Sequence, residues 1–273
     1  MTTKKYTIVI AVFNNIDYTK KVLNCLANDD LSNIHVIIIN NGSTDSTKEV
    51  LKNYKEFEII HNEKNLGCAP AWNQGVRLSQ SEWTVILNND VLLTKKCFQT
   101  LGNYAEKKGI DIISPAFREG HYTTNFFKYA NLYTQSMQHA TRKNVANGIC
   151  FMVRKKVWDR IGLFDENFII GQFEDADFFW RARKAGFKLA TSGCVLVQHF
   201  GSITQKSIKK VTEPEYIIKN RAYYRKKWKL NWLKRRLEKF TESIFLYFWR
   251  RTEYLKFKHT LFEKLDGDSI KYK

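Results

Sequence analysis

Apolar runs in this chain come in two lengths, and they alternate. Residues 6–13 are apolar at nearly every position, the pattern of a strand covered on both faces. Asn14 and Asn15 break that run, and residues 18–27 then place Val22, Leu23 and Leu26 on one face of a helix. Residues 36–39 predict a second buried strand. The polar stretch 40–45 follows it, where Ser43 or Asp45 suits the cap of a helix reaching about residue 55. A third strand is expected over 57–60. Pro70 suits the first turn of a helix running to Leu78. Residues 83–87 predict a fourth strand, 95–108 a helix and 110–114 a strand. Strand and helix alternating through short connections predict an α/β fold, with a mostly parallel central sheet flanked by helices. Ligands bind such sheets beyond the carboxyl ends of the strands. Phe13, Asn40, Asn41 and Asp90 each stand at or just past the end of an apolar run and are expected around one cleft.

The pattern weakens over 117–144, a stretch rich in Tyr, Phe, Asn, Thr and Gln that reads as a substrate-facing insertion. A strand returns at 148–153 and a short helix at 155–161. A helix over 174–185 is stopped by Gly186. One or two strands follow over 187–197, with His199 just beyond them. From Glu215 onward the chain reads as helix. Leu233, Leu237, Phe240, Ile244 and Phe248 recur at spacings of three and four, and Lys234, Arg235, Arg236 and Lys239 occupy the other face.

Composition adds a core and a charge asymmetry to this picture. A hydrophobic content of 44% supports a buried interior, and only three prolines argue against long disordered linkers. No apolar stretch approaches the roughly 20 residues that span a bilayer, and the residues ahead of the first strand are not expected to be a secretory leader. The five cysteines show no CxxC pairing and are expected to be reduced thiols, four of them in apolar patterns. Two thirds of the net charge of +18 falls in residues 205–273, which hold 20 Lys/Arg against 8 Asp/Glu. Such a segment has two readings: a helical hairpin packed on the domain or on a partner chain, or an interfacial helix on an anionic membrane surface.

The candidate chemistry sits at strand and helix ends. Asp90 follows one apolar run and His199 another, and a carboxylate with an imidazole suits a divalent cation. Glu174, Asp175 and Asp177 crowd the start of one predicted helix. Asp175 is suited to accept a proton, and the helix N-terminus is expected to keep it ionised. Asp177 is expected to brace the helix. Taken singly, Asp90 reads as a turn residue, His199 as a core histidine and the acidic cluster as charge complementation of a helix start.

The ordered set of motifs changes that balance. Residues 8–14, Asn40 with Asn41, Gly42, Ser43, Thr44 and Asp45, then Asn65 with Gly67, then Asn88, Asn89 and Asp90 come first. Asn147 with Gly148, residues 162–166, residues 173–177 and His199 complete it. Over about 6–205 this order resembles family 2 glycosyltransferases with the GT-A fold, of the bacterial cell-surface polysaccharide, rhamnosyltransferase-like type. The resemblance implies a metal-dependent, inverting transfer from a nucleotide-sugar to a hydroxyl of a surface-glycan or lipid-linked acceptor. Asp90 takes the last position of the family's DxD-type motif and, with His199, would hold Mn²⁺ or Mg²⁺, the imidazole favouring Mn²⁺. Asn88 stands where many members carry Asp, and Asn40 where the family reads the base with Asp, so UDP comes first and dTDP second as donor, with a cytidine nucleotide also open. Ala11, Phe13, Gly42 and Asn89 complete the donor-binding set, and Asn65 with Gly67 matches a loop closing over the donor. Asp175 matches the general base, and Glu174 beside it the acceptor contact or an alternative base.

The implied organisation is a GT-A domain over 1–205, with a nucleotide-binding half to about 115 and an acceptor half over 116–205, followed by a basic amphipathic helical tail over 206–273. The expected location is the cytoplasm, peripheral at the inner face of the membrane, with a homo-oligomer possible in principle. Two other classes compete. A sugar-phosphate nucleotidyltransferase would carry a Gly-rich, basic loop after its first strand, where this chain has Phe13, Asn14 and Asn15. Nucleic-acid binding through the basic tail lacks any recognisable module, and nucleic acid is not an expected partner.

Overall fold

The alternation read from the apolar runs is the architecture of the computed structural model, which describes residues 4–120, 125–201, 215–266 and 269–272. Strands β1 (Tyr6–Val12), β2 (Ile34–Asn41), β3 (Glu58–Asn62) and β4 (Trp83–Asn88) lie parallel in the order β3-β2-β1-β4. Helices α1 (Ile16–Ala27), α2 (Thr47–Leu51) and α3 (Cys68–Leu78) connect them. The continuous apolar run of β1 is explained by cover on both faces. Ile8, Ile10 and Val12 pack with Val22, Leu23 and Leu26 of α1, whereas Val9 packs with Trp72 and Val76 of α3. Helix α2 stops four residues short of the expected end, because Tyr54 turns back to stack on Phe57 at 5.8 Å.

Beyond β4 the sheet becomes mixed. Strand β5 (Val91–Leu92) is followed by helix α4 (Cys97–Lys108) and strand β6 (Ile112–Glu119). Strand β8 (Cys150–Arg154) inserts antiparallel between β4 and β6, and β9 (Leu189–His199) runs parallel to β6. Helices α6 (Lys155–Ile161) and α7 (Glu174–Lys184) pack Val157, Trp158, Phe178 and Phe179 against Ile86 and Phe151.

The described residues of the stretch read as a substrate-facing insertion form a helix and a strand that pack inward. Helix α5 (Phe126–Met137) starts at Asn125, whose side chain accepts from the Phe127 and Lys128 amides. It buries Phe126, Ala130, Tyr133 and Met137 against Ala116, Leu196 and Leu261, and β7 (Thr141–Lys143) pairs with β9. The C-terminal segment is also more than a helical tail. Helices α8 (Glu215–Lys227) and α9 (Trp232–Phe257) form as expected, but β10 (Phe262–Asp266) and β11 (Ser269–Tyr272) then extend the central sheet. Strand β10 pairs in parallel with β6, Phe262 opposite Phe117. Two buried ion pairs hold this junction: Arg118 with Glu263 at 2.7 Å, and Arg142 doubly bonded to Glu253 at 2.7 Å. Leaving either charge alone in this interior would cost about 3–5 kcal/mol.

Helix α9 leaves Phe240, Phe245, Phe248 and Leu255 each more than half exposed, with Arg236, Arg250 and Arg251 also exposed. Among the described residues no helix is long and apolar enough to cross a membrane. All five cysteines are free thiols, and burial pushes Cys150 and Cys97 far above the ordinary thiol range.

Candidate active site

A cavity of about 420 Å³ opens where β1 and β4 end and α7 begins. Ala11, Phe13, Asn65, Asn88, Asn89, Asp90, Glu174, Asp175 and His199 all line it. Residues 109 positions apart in the chain meet there because the two-residue β5 zips antiparallel onto the end of β9, Val91 opposite His199. The Phe200 amide then donates to the Asp90 carbonyl at 3.0 Å, and His199 Nε2 lies 3.4 Å from Asp90 Oδ2. Both side chains are about 95% buried, at 4% and 6% exposure.

This pair suits a divalent cation by its donor chemistry: one hard carboxylate oxygen and one imidazole nitrogen at the cavity wall. No cluster of three or more His, Cys, Asp or Glu ligands occurs among the described residues. Asp90 and His199 would hold such an ion together with oxygens from outside this pair, as where a cation bridges protein to phosphate.

The donor-binding expectations divide. Asn88, at the end of β4, pairs its amide with the Ile149 carbonyl at 2.9 Å and faces the cavity. Asn89 also lines it, but its amide donates to Thr19 on α1 at 2.9 Å. Asn40 is not part of the wall. Its side chain bonds His61 Nδ1 at 3.1 Å and accepts from the Ser43 amide at 3.2 Å, so it braces the turn, and Asn41 takes the place in the wall. Gly42 is outside the wall as well. Its φ is +77°, and a Cβ there would overlap the Lys64 carbonyl carbon, so glycine is required for loop packing. Gly67 likewise packs on the Ile170 backbone outside the wall, and its carbonyl accepts from Asn41. Asn65 does line the cavity, accepting from Asn41 and from the Gly67 amide, both at 2.9 Å. Arg77 pairs with Glu166 at the surface, and Asp177, fully buried, binds Arg181, Lys227 and Trp228.

Asp175 sits in the first turn of α7 and accepts from the Ala176 amide at 2.8 Å. Its carboxylate rests against Gly148, where any Cβ would overlap it, so glycine at 148 makes room for the acid. The helix N-terminus does not decide its protonation as expected. Burial outweighs the backbone hydrogen bonds and raises the Asp175 pKa. Burial and the charge of Asp175 also raise Glu174, so this coupled pair holds a proton above the ordinary carboxylate range.

Helix α8 completes the wall from a direction the sequence did not signal. Ile170, Gln172 and Phe173, which line the cavity, all have positive φ between 61° and 76°. The buried Asn220 holds this strained loop: its amide donates to the carbonyls of Ile169 and Gly171 at 2.8 Å and of Gln172 at 3.2 Å, and its oxygen accepts from the Ile169 amide. Asp165 is partly buried, which favours its neutral form, but Lys227, the Asn167 amide and Tyr223 outweigh this and hold it well below the usual carboxylate range. Tyr216, one turn before Asn220, lines the cavity. No described residue of 116–146 does.

Residues 7–162 match the profile of Glycosyl transferase family 2. Glycosyltransferase AglE of Haloferax volcanii is 24% identical over 218 residues, covering 74% of this chain and 70% of that protein. S. aureus TarS 1-349 superposes with a TM-score of 0.58 at 15% identity, over 79% of this chain and 63% of that one. GalNAc-T7, solved with UDP, GalNAc and Mn²⁺, superposes with a TM-score of 0.58 at 14% identity, over 72% of this chain and 44% of that one. The chain spans less than two thirds of either solved structure, and at these identities the likeness is one of fold: the GT-A arrangement.

Proposed function

This chain belongs to glycosyl transferase family 2, and from that premise we propose that it moves a sugar from a nucleoside-diphosphate sugar to an acceptor hydroxyl in one inverting displacement. The observation that carries this reading is the shared cavity: Asp90 and His199 lie 3.4 Å apart in a wall to which Asp175 also belongs. Asp175 takes the proton of the acceptor hydroxyl as that oxygen bonds to the anomeric carbon. The bond from that carbon to the diphosphate breaks on the opposite side, and its electron pair leaves with the nucleoside diphosphate. A divalent cation held by Asp90 and His199, Mn²⁺ before Mg²⁺, would offset the charge gathering on that leaving group. Asn88 and Asn65 supply neutral amide contacts to the donor. UDP is the first choice of nucleotide, supported by the UDP-bound GalNAc-T7 structure, and dTDP the second.

The test is a thermal-shift screen of UDP-, dTDP-, GDP- and CDP-sugars with and without Mn²⁺. A metal-dependent rise in Tm with UDP-sugars is expected, together with release of UDP on turnover. No response to any of the donors would remove the reading.

The acceptor proposed is a surface glycan, lipid-linked, met at an anionic lipid surface by α9. Exposed Phe240, Phe245 and Phe248 beside exposed Arg236, Arg250 and Arg251 support this, since apolar burial and attraction to anionic headgroups act together. The protein is expected to sediment with vesicles containing phosphatidylglycerol, to release as salt rises, and to stay in solution when Phe240→Glu and Phe248→Glu are combined. Equal sedimentation of wild type and double variant would count against α9 as the contact.

A further inference from the structure

Two residues that line the cavity each carry a buried polar atom with no hydrogen-bond partner among the described residues: the Tyr216 hydroxyl and Glu174 Oε2. Their residues are only 5% and 4% exposed. A buried polar group without a partner costs about 1–3 kcal/mol, so two of them in one cavity are most simply retained for a ligand that completes their bonds. We propose that Tyr216 of α8 and Glu174 of α7 form a subsite for a neutral hydroxyl of a sugar ring. The proposal rests on the glycosyl-transfer reading and adds to it a residue beyond the span of the family profile.

The chemistry of the wall selects the ligand. No Lys or Arg occurs among the described residues lining the cavity, and the two unpartnered groups, a phenol and a carboxyl, suit a hydroxyl better than a phosphate or a carboxylate. The titratable groups around Glu174 are Asp175, Cys68 and Tyr216. Burial raises the pKa of both Cys68 and Tyr216, so thiol and phenol stay neutral. Burial raises both Glu174 and Asp175, so the pair holds a proton, and a protonated carboxyl, like a phenol, both donates and accepts a hydrogen bond. A sugar hydroxyl also does both, and an ammonium or guanidinium would leave the phenol proton unused. Trp72 and Phe173 supply apolar faces in the same wall for the C–H side of a ring. The placement of Tyr216 follows from Asn220. The two residues are four apart on α8 and so share a face, and Asn220 is locked to three carbonyls of the loop that leads into Glu174.

The hydroxyl has two sources, the donor ring or the acceptor ring, and the experiment separates them. Wild type, Tyr216→Phe, Glu174→Met and Glu174→Gln are titrated with UDP, with UDP-glucose, UDP-galactose and their N-acetyl-2-amino counterparts, and with methyl glycosides of the same sugars and of rhamnose. Binding is read by calorimetry and saturation-transfer NMR. Tyr216→Phe is expected to lower sugar affinity about tenfold, to leave UDP affinity unchanged, and to hold or raise Tm, because it removes an unsatisfied buried hydroxyl. A merely structural tyrosine would do the reverse, lowering Tm and sparing the sugar. Glu174→Met is expected to lose the same affinity and Glu174→Gln to recover it. Weaker UDP-sugar binding assigns the subsite to the donor ring. Weaker glycoside binding with UDP-sugar affinity intact assigns it to the acceptor ring. Sugar affinity equal in all four proteins, with UDP still bound, overturns the subsite alone. Glycoside binding that depends on Tyr216 in a protein that binds no nucleotide keeps the subsite and sinks the donor reading, and absence of both kinds of binding overturns both.

Discussion

Asp175→Asn is expected to keep the donor bound and to lower transfer by about 10²–10⁴-fold, the usual contribution of a positioned general base. The amide matches the acid in size, so the contact with Gly148 and the bond from the Ala176 amide persist while proton acceptance is lost. Calorimetry with a UDP-sugar and a coupled assay for released UDP separate the two effects. Near-normal turnover in Asp175→Asn would reject the assignment, and loss confined to Glu174→Gln would move the base one residue back. Protonation gives a second readout. Because burial raises the Asp175 pKa, the acid limb of the rate profile should lie above the ordinary carboxylate range, with activity falling as pH drops through the raised value. The stability linkage runs the other way. Both carboxyls have folded pKa values above their unfolded ones, so the native state binds more protons between the two. Their contribution to stability is full below the ordinary carboxylate pKa and is lost as pH rises through the raised values. The titration that arms the base therefore loosens the site that holds it.

Asp90→Ala should abolish the Mn²⁺-dependent part of nucleotide binding. With Asp90 and His199 the proposed donors among the described residues, losing one should weaken metal affinity by more than about 100-fold, since changes even outside the ligand shell cost 10–100-fold. Electron paramagnetic resonance of Mn²⁺ in the presence of UDP measures this without turnover, and His199→Ala should behave alike. Circular dichroism and the Tm without ligand guard against a folding defect. An Mn²⁺ response equal in wild type and both variants would dissolve the proposed pair.

Much of the cavity was legible from the runs alone. Strands covered on both faces announce themselves as unbroken apolar segments, and a parallel alternation sends their carboxyl ends to one edge. Phe13, Asn88 and Asp90 therefore had to come near one another before any coordinate was known. His199 followed from the same logic. What the runs hide is any element whose stabilising partner is remote. Strand β10 has a charged, nearly patternless sequence and exists because Glu263 meets Arg118 and Phe262 meets Phe117 across the sheet. Helix α5 was masked because its aromatic and amide residues blur the stripe that Phe126, Ala130, Tyr133 and Met137 form.

The alternation of β1 to β4 with their helices, the family and the edge of the sheet where the cavity opens were determined by the chain's own sequence, because periodicity and burial act over a few neighbouring residues. Which side chains enter the cavity was decided only by tertiary structure. Asn40 and Asn41 are equivalent by composition, yet one braces a turn and the other lines the cavity, because successive residues on a strand point to opposite sides. The charge of Asp175 depends on how much water the folded wall excludes, and the presence of Tyr216 depends on α8 folding back over a loop about fifty residues earlier. Both are long-range effects of packing, set by neighbours that no local stretch of sequence contains.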